Sequence, residues 1–147
     1  ISHNARLYPD LTAEQNLLLY AKLYGLADPQ ARVMELLEAV ELKHRRLDVV
    51  RTFSRGMTQR VSIARALAKN PKLLLCDEPT GALDYRTGKQ VLGLLQDTCR
   101  KTGRTVIVIT HNTALTGMAD RIIQVRSGRI VSNQVNEHPV PVEQIEW

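Results

Sequence analysis

The sequence predicts an α/β fold whose core is a pair of parallel strands joined by a helix. Residues 73–76 and 105–109 are two short apolar runs, and a proline or a glycine stands close to each of them. Between them, residues 85–101 carry a helical pattern that begins after Asp84 and ends at Gly103. Strand, helix and strand in this order, with both strands apolar throughout, are typical of a parallel βαβ unit. We therefore expect both strands to be fully buried.

Three helices are predicted before the first strand. Thr12 and Gln15 form a capping box that opens the first helix. Asp28 and Pro29 supply an N-cap and a first-turn proline for the second helix. A third and longer helix is expected from about residue 56 to residue 69, and a proline shortly after it stops it.

The chain after the second strand is predicted to contain a short helical piece, a hairpin and a tail. The helical piece is expected around residues 114–118. Residues 122–125 and 129–131 flank a Ser-Gly pair, and this spacing favours a β-hairpin. Residues 133–147 contain two prolines and several charges, and we expect them to form a loosely docked extension.

Composition limits the classes of protein to consider. A chain of 147 residues with 44% hydrophobic and 24% charged residues has room for one ordinary globular domain. The net charge of +5 indicates either an anionic partner or a solvated basic face. Cys76 and Cys99 have no CxxC spacing, so free thiols in a reducing compartment are expected. No apolar stretch is long enough to cross a bilayer, so we expect any membrane-spanning part to belong to another chain.

Two carboxylates stand at the end of the first strand. Asp77 and Glu78 follow the apolar run directly, where an open α/β sheet places its ligands. Carboxylates at the mouth of a buried strand are costly unless a cation or a reaction needs them. Asp77 could hold Mg²⁺, and Glu78 could orient and polarise an attacking water. A helix-capping acid beside a solvated neighbour is an equally good interpretation of these two residues alone.

Three further features are placed to act on a phosphate group. Ser54-Arg55-Gly56-Met57 opens the third helix, where backbone N–H groups and the positive end of the helix dipole attract an anion. Residues 81–84 follow the two carboxylates, and His111 ends the second strand. A histidine at that strand end could contact a terminal phosphate or the water held by Glu78.

In this order, the features resemble the motifs of ABC-transporter ATPase subunits. Residues 53–57 look like the signature motif, residues 73–78 like Walker B, residues 81–84 like the D-loop and His111 like the H-loop. The resemblance implies the C-terminal part of the P-loop NTPase fold of ABC ATPases, with parallel strands and a helical subdomain. It would place a partial ATPase domain at residues 1–132. Within it, about 7–70 would form the helical subdomain and signature helix, and 71–132 the Walker B to H-loop core. Residues 133–147 would be a C-terminal extension.

The same resemblance implies roles for the site residues. In this family two ATPase subunits pack head to tail around two ATP molecules and drive transmembrane permease subunits. Asp77 would coordinate Mg²⁺, Glu78 would be the general base, and His111 would couple the γ-phosphate to the catalytic water. The groups that face the partner subunit and its nucleotide would be Ser54, Arg55, Gly56, Met57 and Asp84. No nucleic-acid partner is implied, and the protein would lie on the cytoplasmic, inner face of the cell membrane.

Three departures from the family pattern bear on activity. Arg55 stands where a glycine is usual, so either a working signature of the Ser-x-Gly-Met kind or a weakened one fits this segment. His3 or Asn4 takes the position of a glutamine that senses Mg²⁺ and the membrane partner. No Gly-x-x-x-x-Gly-Lys-Ser/Thr phosphate loop occurs in the chain. We therefore expect the C-terminal part of an ATPase domain that alone neither binds ATP tightly nor hydrolyses it.

The resemblance also bears on the kind of transporter and on the alternatives. The segment up to about residue 60 resembles ABC-2 and haem-exporter ATPases, and the segment from residue 69 resembles macrolide and lipoprotein exporter ATPases, so export is expected. A second possible function is a non-catalytic scaffold that donates its signature face to a partner ATPase. A DNA-repair or chromosome-type ATPase would need a coiled coil before the signature, and residues 12–51 lack sustained heptads. The histidines share no metal-ligand spacing with the cysteines, so a zinc site is not expected.

Overall fold

The computed structural model describes Ile1 and residues 6–146. The α-helices in this part of the chain are α1 (Ala13–Leu23), α2 (Pro29–Ala39), α3 (Arg55–Leu67) and α4 (Tyr85–Thr102). The strands are β1 (Leu73–Asp77), β2 (Thr105–Ile109), β3 (Arg121–Arg126) and β4 (Arg129–Val135). Short 3-10 helices span Lys43–Arg45, Val50–Thr52, Thr113–Met118 and Val142–Gln144. Among the helices of the described residues, none is both long enough and apolar enough to cross a membrane.

The parallel βαβ unit that the sequence predicts is confirmed. β1 and β2 pair in parallel over their whole length, from Leu73 opposite Thr105 to Asp77 opposite Ile109. α4 makes the connection between the two strands and packs against β2. Because the strands run in the same direction and end at the same level, their carboxyl ends stand side by side at one edge of the sheet.

The prediction that both strands are fully buried is wrong for the part of the chain that the structure describes. Leu74 and Cys76 lie in the core, whereas Leu73 and Leu75 on the opposite face of β1 are 53% and 52% exposed. Alternate residues of β2 show the same pattern. Successive side chains of a strand point to opposite faces of the sheet. One face of this pair contributes to the core, and the large side chains on the other face are about half exposed.

The helices before β1 share a single core with the strands. Buried apolar side chains of α1, α2 and α3 form one cluster with those of β1 and α4. The predicted capping box is present, since Thr12 Oγ1 accepts a hydrogen bond from Gln15 N (3.1 Å) and Gln15 Oε1 accepts one from Thr12 N (2.9 Å). α3 begins one residue earlier and ends two residues earlier than predicted. The helical segment and the βαβ unit therefore fold against each other.

The two cysteines are free thiols, as the sequence predicts. Cys76 is fully buried on the inner face of β1, and burial raises the pKa of its thiol to about 11. The thiol therefore stays protonated near neutral pH and serves as a small apolar group of the core.

The predicted hairpin is confirmed, and it is longer than expected. β3 and β4 pair antiparallel on either side of Ser127 and Gly128, which have φ values of +49° and +72°. Two successive residues with positive φ are typical of the tight turns that join twisted strands. β4 continues to Val135 and so runs through residue 132, at which the ATPase-like part was predicted to end.

The C-terminal tail packs more closely than the loosely docked extension that the sequence suggests. Val142 (2% exposed) and Ile145 (6% exposed) are buried in an apolar patch that includes Leu92 of α4. Gln96 of α4 binds the tail backbone twice, because its Nε2 donates to the Val140 carbonyl (3.0 Å) and its Oε1 accepts from Val142 N (3.1 Å). The tail prolines and charges that suggested a loose segment alternate with these buried residues.

Candidate functional site

The carboxyl ends of β1 and β2 bring Glu78 and His111 together. Asp77 and Ile109 pair at the last position of the two strands, and the backbone N–H of Glu78 donates to the Ile109 carbonyl (2.9 Å). Glu78 has a φ of +43°, a left-handed conformation that is uncommon for a residue with a side chain and that is concentrated at functional sites. Its carboxylate consequently lies beside the chain that leaves β2.

The Glu78 carboxylate is held by two consecutive residues after β2. Oε1 accepts a hydrogen bond from the backbone N–H of His111 (2.8 Å) and lies 2.6 Å from His111 Nδ1, which donates when it carries the ring proton. Oε2 accepts from the hydroxyl of Thr110 (3.1 Å). Burial raises the pKa of Glu78, but the hydrogen bonds from His111 and Thr110 outweigh burial and lower it overall. Glu78 is therefore a fixed, ionised carboxylate at neutral pH.

The pair remains open to a ligand. The His111 side chain is 89% exposed, and the Glu78 side chain is 29% exposed. A positioned carboxylate beside a histidine can accept a proton from a water molecule, which is the task of a general base. Thr110 and His111 together end the second strand in the sequence, but no role for the Thr110 hydroxyl was predicted.

Asp77 presents a carboxylate at the same edge. It is the last residue of β1, its side chain is exposed, and its backbone N–H donates to the carbonyl of Ile1 (2.8 Å). Within the described residues, no group of three His, Cys, Asp or Glu side chains is placed to share a metal ion. Mg²⁺ is commonly bound through one or two carboxylates, with water and substrate phosphates as its other ligands. Asp77 fits that mode of binding and not an all-protein cage.

The residues that resemble the signature motif form the N-terminus of α3. Ser54 is the N-cap, and its Oγ accepts a hydrogen bond from Met57 N (3.2 Å). The Ser54 and Arg55 side chains are exposed, whereas Gly56 is buried against Thr87 of α4. An exposed serine and an arginine at a helix N-terminus form a surface suited to an anion.

Asp84 occupies the equivalent capping position on α4. Its Oδ1 accepts a hydrogen bond from Thr87 N (3.0 Å), and this bond lowers the pKa of the exposed carboxyl group. The first observed role of Asp84 is therefore to cap a helix. The N-termini of α3 and α4 are neighbours, because Gly56 and Thr87 touch.

A cleft of about 600 Å³ opens beside the loop that follows β1. Arg55 and Glu78 both line it, together with Arg6 and Arg51. The cleft therefore brings part of the signature and the candidate base to a common space rich in positive charge. Its lining does not include Ser54, Asp77, Asp84 or His111, and the predicted glutamine-like residues His3 and Asn4 lie outside the described residues.

Comparison with known proteins gives consistent similarities. A family model described as ABC transporter matches residues 1–81. The ABC transporter ATP-binding protein Rv0986 of Mycobacterium tuberculosis is 41% identical over 143 residues, which are 95% of this chain and 58% of the relative. The methionine import ATP-binding protein MetN of Streptococcus agalactiae is 42% identical over 134 residues, or 89% of this chain and 38% of the relative.

Solved structures show the same similarity in three dimensions. The ATP-binding cassette MJ0796, in a dimeric post-hydrolysis state bound to ADP and Pi, superposes with a TM-score of 0.75 and 34% sequence identity. The match covers 89% of this chain and 59% of that one. The chain thus spans less than two thirds of the length of the relatives that it matches here.

Proposed function

This chain belongs to the ABC transporter family of ATP-binding proteins, and we propose that it acts in ATP hydrolysis coupled to transport across a membrane. Its described residues supply two parts of that machinery. The edge formed by the ends of β1 and β2 prepares the attacking water, and the N-terminus of α3 presents a signature face to a nucleotide held by a second ATPase subunit.

The contact between Glu78 and His111 carries the proposal. The two residues follow different strands, and the 2.6 Å separation of Glu78 Oε1 and His111 Nδ1 depends on the parallel pairing of β1 with β2. In the proposed reaction, Glu78 accepts the proton of the attacking water. His111 orients the carboxylate through its backbone N–H and ring, and its exposed ring reaches toward the terminal phosphate.

The proposed cofactors are ATP and Mg²⁺. Asp77 would hold the cation with one carboxylate, leaving the remaining positions to water and phosphate oxygens. When bound, Mg²⁺ would neutralise negative charge on the phosphates. Ser54, Arg55 and the N–H groups at the start of α3 would bind the phosphates of the partner's nucleotide, with Asp84 at the subunit interface.

The proposed partners are a second ABC ATPase subunit, packed head to tail, and transmembrane permease subunits. The protein would then be peripheral on the inner face of the membrane. The export direction expected from the sequence has no support among the relatives, since MetN is named for methionine import. We therefore propose transport without a direction.

A second function is favoured by one observation. The residues Ser54 and Arg55 are exposed at the N-terminus of α3, where a nucleotide held by another subunit could reach them. A chain of this kind can act as a scaffold that completes the nucleotide site of a partner ATPase and catalyses nothing itself. Both functions use the face that contains Ser54, whereas only the first function needs Glu78.

Mixing experiments separate the two functions. A full-length ABC ATPase subunit that lacks its own catalytic glutamate is mixed with the protein that carries this chain, and phosphate release is measured. If Glu78 is the general base, turnover is observed and falls by about 100-fold or more with Glu78→Gln. If the chain is a scaffold, turnover arises only with a partner that lacks its signature serine, and Ser54→Ala abolishes it. The absence of turnover from both mixtures would contradict both functions.

A further inference from the structure

Gly56 and Thr87 make an unusually close contact between the N-termini of α3 and α4. A Cβ atom placed on Gly56 would lie 2.1 Å from Thr87 Cγ2, far inside van der Waals distance, and 3.5 Å from Thr87 Cβ. Gly56 is buried and Thr87 is half-buried, so the contact is sheltered from solvent. The methyl group of Thr87 therefore occupies the space that a side chain at residue 56 would need.

Backbone conformation does not explain the glycine. Gly56 lies in the first turn of α3 and is not among the residues with positive φ. Glycine is a poor helix former compared with alanine, so a glycine at this position weakens the helix locally. The close approach of Thr87 is the feature of this structure that requires residue 56 to have no side chain.

Thr87 cannot easily turn its methyl group away. Threonine is β-branched, and in a helix its χ1 angle is confined to a few staggered positions. Rotation that removes Cγ2 from the contact brings either Oγ1 or the β-hydrogen into its place. Only the β-hydrogen frees the space, so a side chain at residue 56 requires Thr87 to change its χ1 rotamer.

The contact joins two capped helix ends. Ser54 caps α3 two residues before Gly56, and Asp84 caps α4 through the backbone N–H of Thr87 itself (3.0 Å). We propose that Thr87 is a positioning residue, whose methyl group packs against the bare Cα of Gly56 and fixes the Ser54 end of α3 relative to the Asp84 end of α4. The roles of Ser54 and Asp84 toward nucleotide and partner rest on the proposed function, whereas the contact itself does not.

A competing explanation assigns Gly56 to the ligand alone. A glycine at a helix N-terminus lets a phosphate group approach the backbone closely. In that case Gly56→Ala would interfere only with a bound nucleotide, and the ligand-free chain would tolerate the added methyl group. The two explanations therefore differ in a measurement made without any nucleotide.

Amide hydrogen exchange of the 147-residue chain, followed by NMR without nucleotide, tests the proposal. The reporters are the capped amides of Met57 on α3 and Thr87 on α4. Gly56→Ala should accelerate exchange at both amides by about tenfold, equivalent to about 1.4 kcal/mol of local opening, which lies in the range for overpacking. In the double variant Gly56→Ala/Thr87→Ser, the methyl group of residue 87 is absent, and slow exchange at Met57 and at residue 87 should return.

Gly93→Ala is the matched control, because Gly93 is a second glycine inside a helix. A Cβ atom there would lie 3.5 Å from Val142 Cγ1, an ordinary contact, so exchange at the two reporter amides should not change. A merely structural effect of Gly56→Ala would accelerate exchange throughout the core and would not be selective for the two capped ends.

Two outcomes overturn the proposal. One is unchanged exchange in Gly56→Ala, and the other is a defect that Thr87→Ser fails to correct. If Gly56→Ala does not fold, the Thr87→Ser variant alone provides the test, since loss of the methyl group should accelerate exchange at the Met57 amide across the contact. Failure of the ATPase proposal would leave these results unaffected, because no nucleotide or turnover is involved.

Discussion

At the scale of single residues, the site depends on how Glu78 is held. Glu78 and His111 are both expected from the sequence, because each follows an apolar strand in a parallel pair. Their direct contact depends on strand register, and register cannot be read from the residues themselves. The hydroxyl of Thr110 completes the set, and threonine is so common at strand ends that its type alone does not single it out.

The pH dependence of stability tests the hydrogen bonds to Glu78. They lower its pKa in the folded chain below the usual 4.5, so an unfolded Glu78 binds its proton at a higher pH than the folded one does. The stability that Glu78 contributes is present above the pKa of the unfolded state and is lost as the pH falls through the folded pKa. Melting temperatures are measured from neutral to strongly acidic pH. As the pH falls, they should decline less steeply for Glu78→Gln than for the unsubstituted chain.

Thr110→Val is the companion variant for that measurement. It removes one hydrogen bond to the carboxylate and leaves both contacts from His111, so its acid-induced decline should lie between those of the unsubstituted chain and Glu78→Gln. Identical acid profiles for all three chains would show that these bonds do not stabilise the fold.

At the scale of elements, α3 is connected to its neighbours through Arg60. Its Nη1 donates to Glu41 Oε2 (3.2 Å) and to the Val40 carbonyl (3.5 Å) at the end of α2, and its Nη2 donates to Gln90 Oε1 of α4 (2.7 Å). The Arg60 side chain is 15% exposed, whereas the side chain of its partner Glu41 is 80% exposed, so these bonds lie at the protein surface. One side chain thus joins the helix that carries the signature to helices on either side.

Replacing Arg60 by methionine should lower the free energy of unfolding by about 1 kcal/mol, because one charged donor that bonds to acceptors on both sides of α3 is lost. Lys101→Met is the matched control, since Lys101 forms an exposed pair with Asp97 within α4. Such a pair contributes about 0.5 kcal/mol or less. Urea unfolding of the unsubstituted chain and of the two variants measures this difference. Equal losses of unfolding free energy in the two variants would mean that Arg60 does not connect the helices.

Secondary structure was largely predictable from the sequence because the local signals are strong. The bounds of β2 agree with the prediction, since an apolar run between a glycine and a histidine leaves little choice, and the capping residues Thr12, Asp28 and Asp84 cap the helices as expected. The complete burial of the strands was predicted wrongly. An apolar sequence shows that a strand is compatible with burial on both faces of a sheet. It does not show which elements pack against each face.

At the scale of the whole molecule, the tail beyond β4 belongs to the fold. Lys89 Nζ donates to the Glu143 carbonyl (2.9 Å) and Tyr85 donates its hydroxyl proton to the Ile145 carbonyl (3.3 Å), so the tail follows α4 toward its N-terminus. The recognition uses the tail backbone, which any sequence provides. A pattern of residue types therefore gives little indication of this docking.

The buried tail residues should stabilise the chain measurably. Val142→Ala removes the equivalent of two methylene groups from a buried position and should cost about 1.5 kcal/mol. Val135→Ala makes the same change at a position that is 61% exposed, and should change the stability by less than about 0.5 kcal/mol. Thermal or urea unfolding compares the two variants, and a Val142→Ala chain as stable as the Val135→Ala chain would show that the tail docks weakly.

We propose the assembly of two ATPase subunits, one of which carries this chain, around a nucleotide. Sedimentation of the protein that carries this chain, mixed with a full-length ABC ATPase subunit that binds but does not hydrolyse ATP, tests it most directly. We expect a heterodimer that forms with Mg-ATP, dissociates without nucleotide and is weakened by Ser54→Ala. The proposed assembly would be contradicted if the two subunits do not associate in the presence of Mg-ATP. It would also be contradicted if their association changes neither with nucleotide nor with Ser54→Ala.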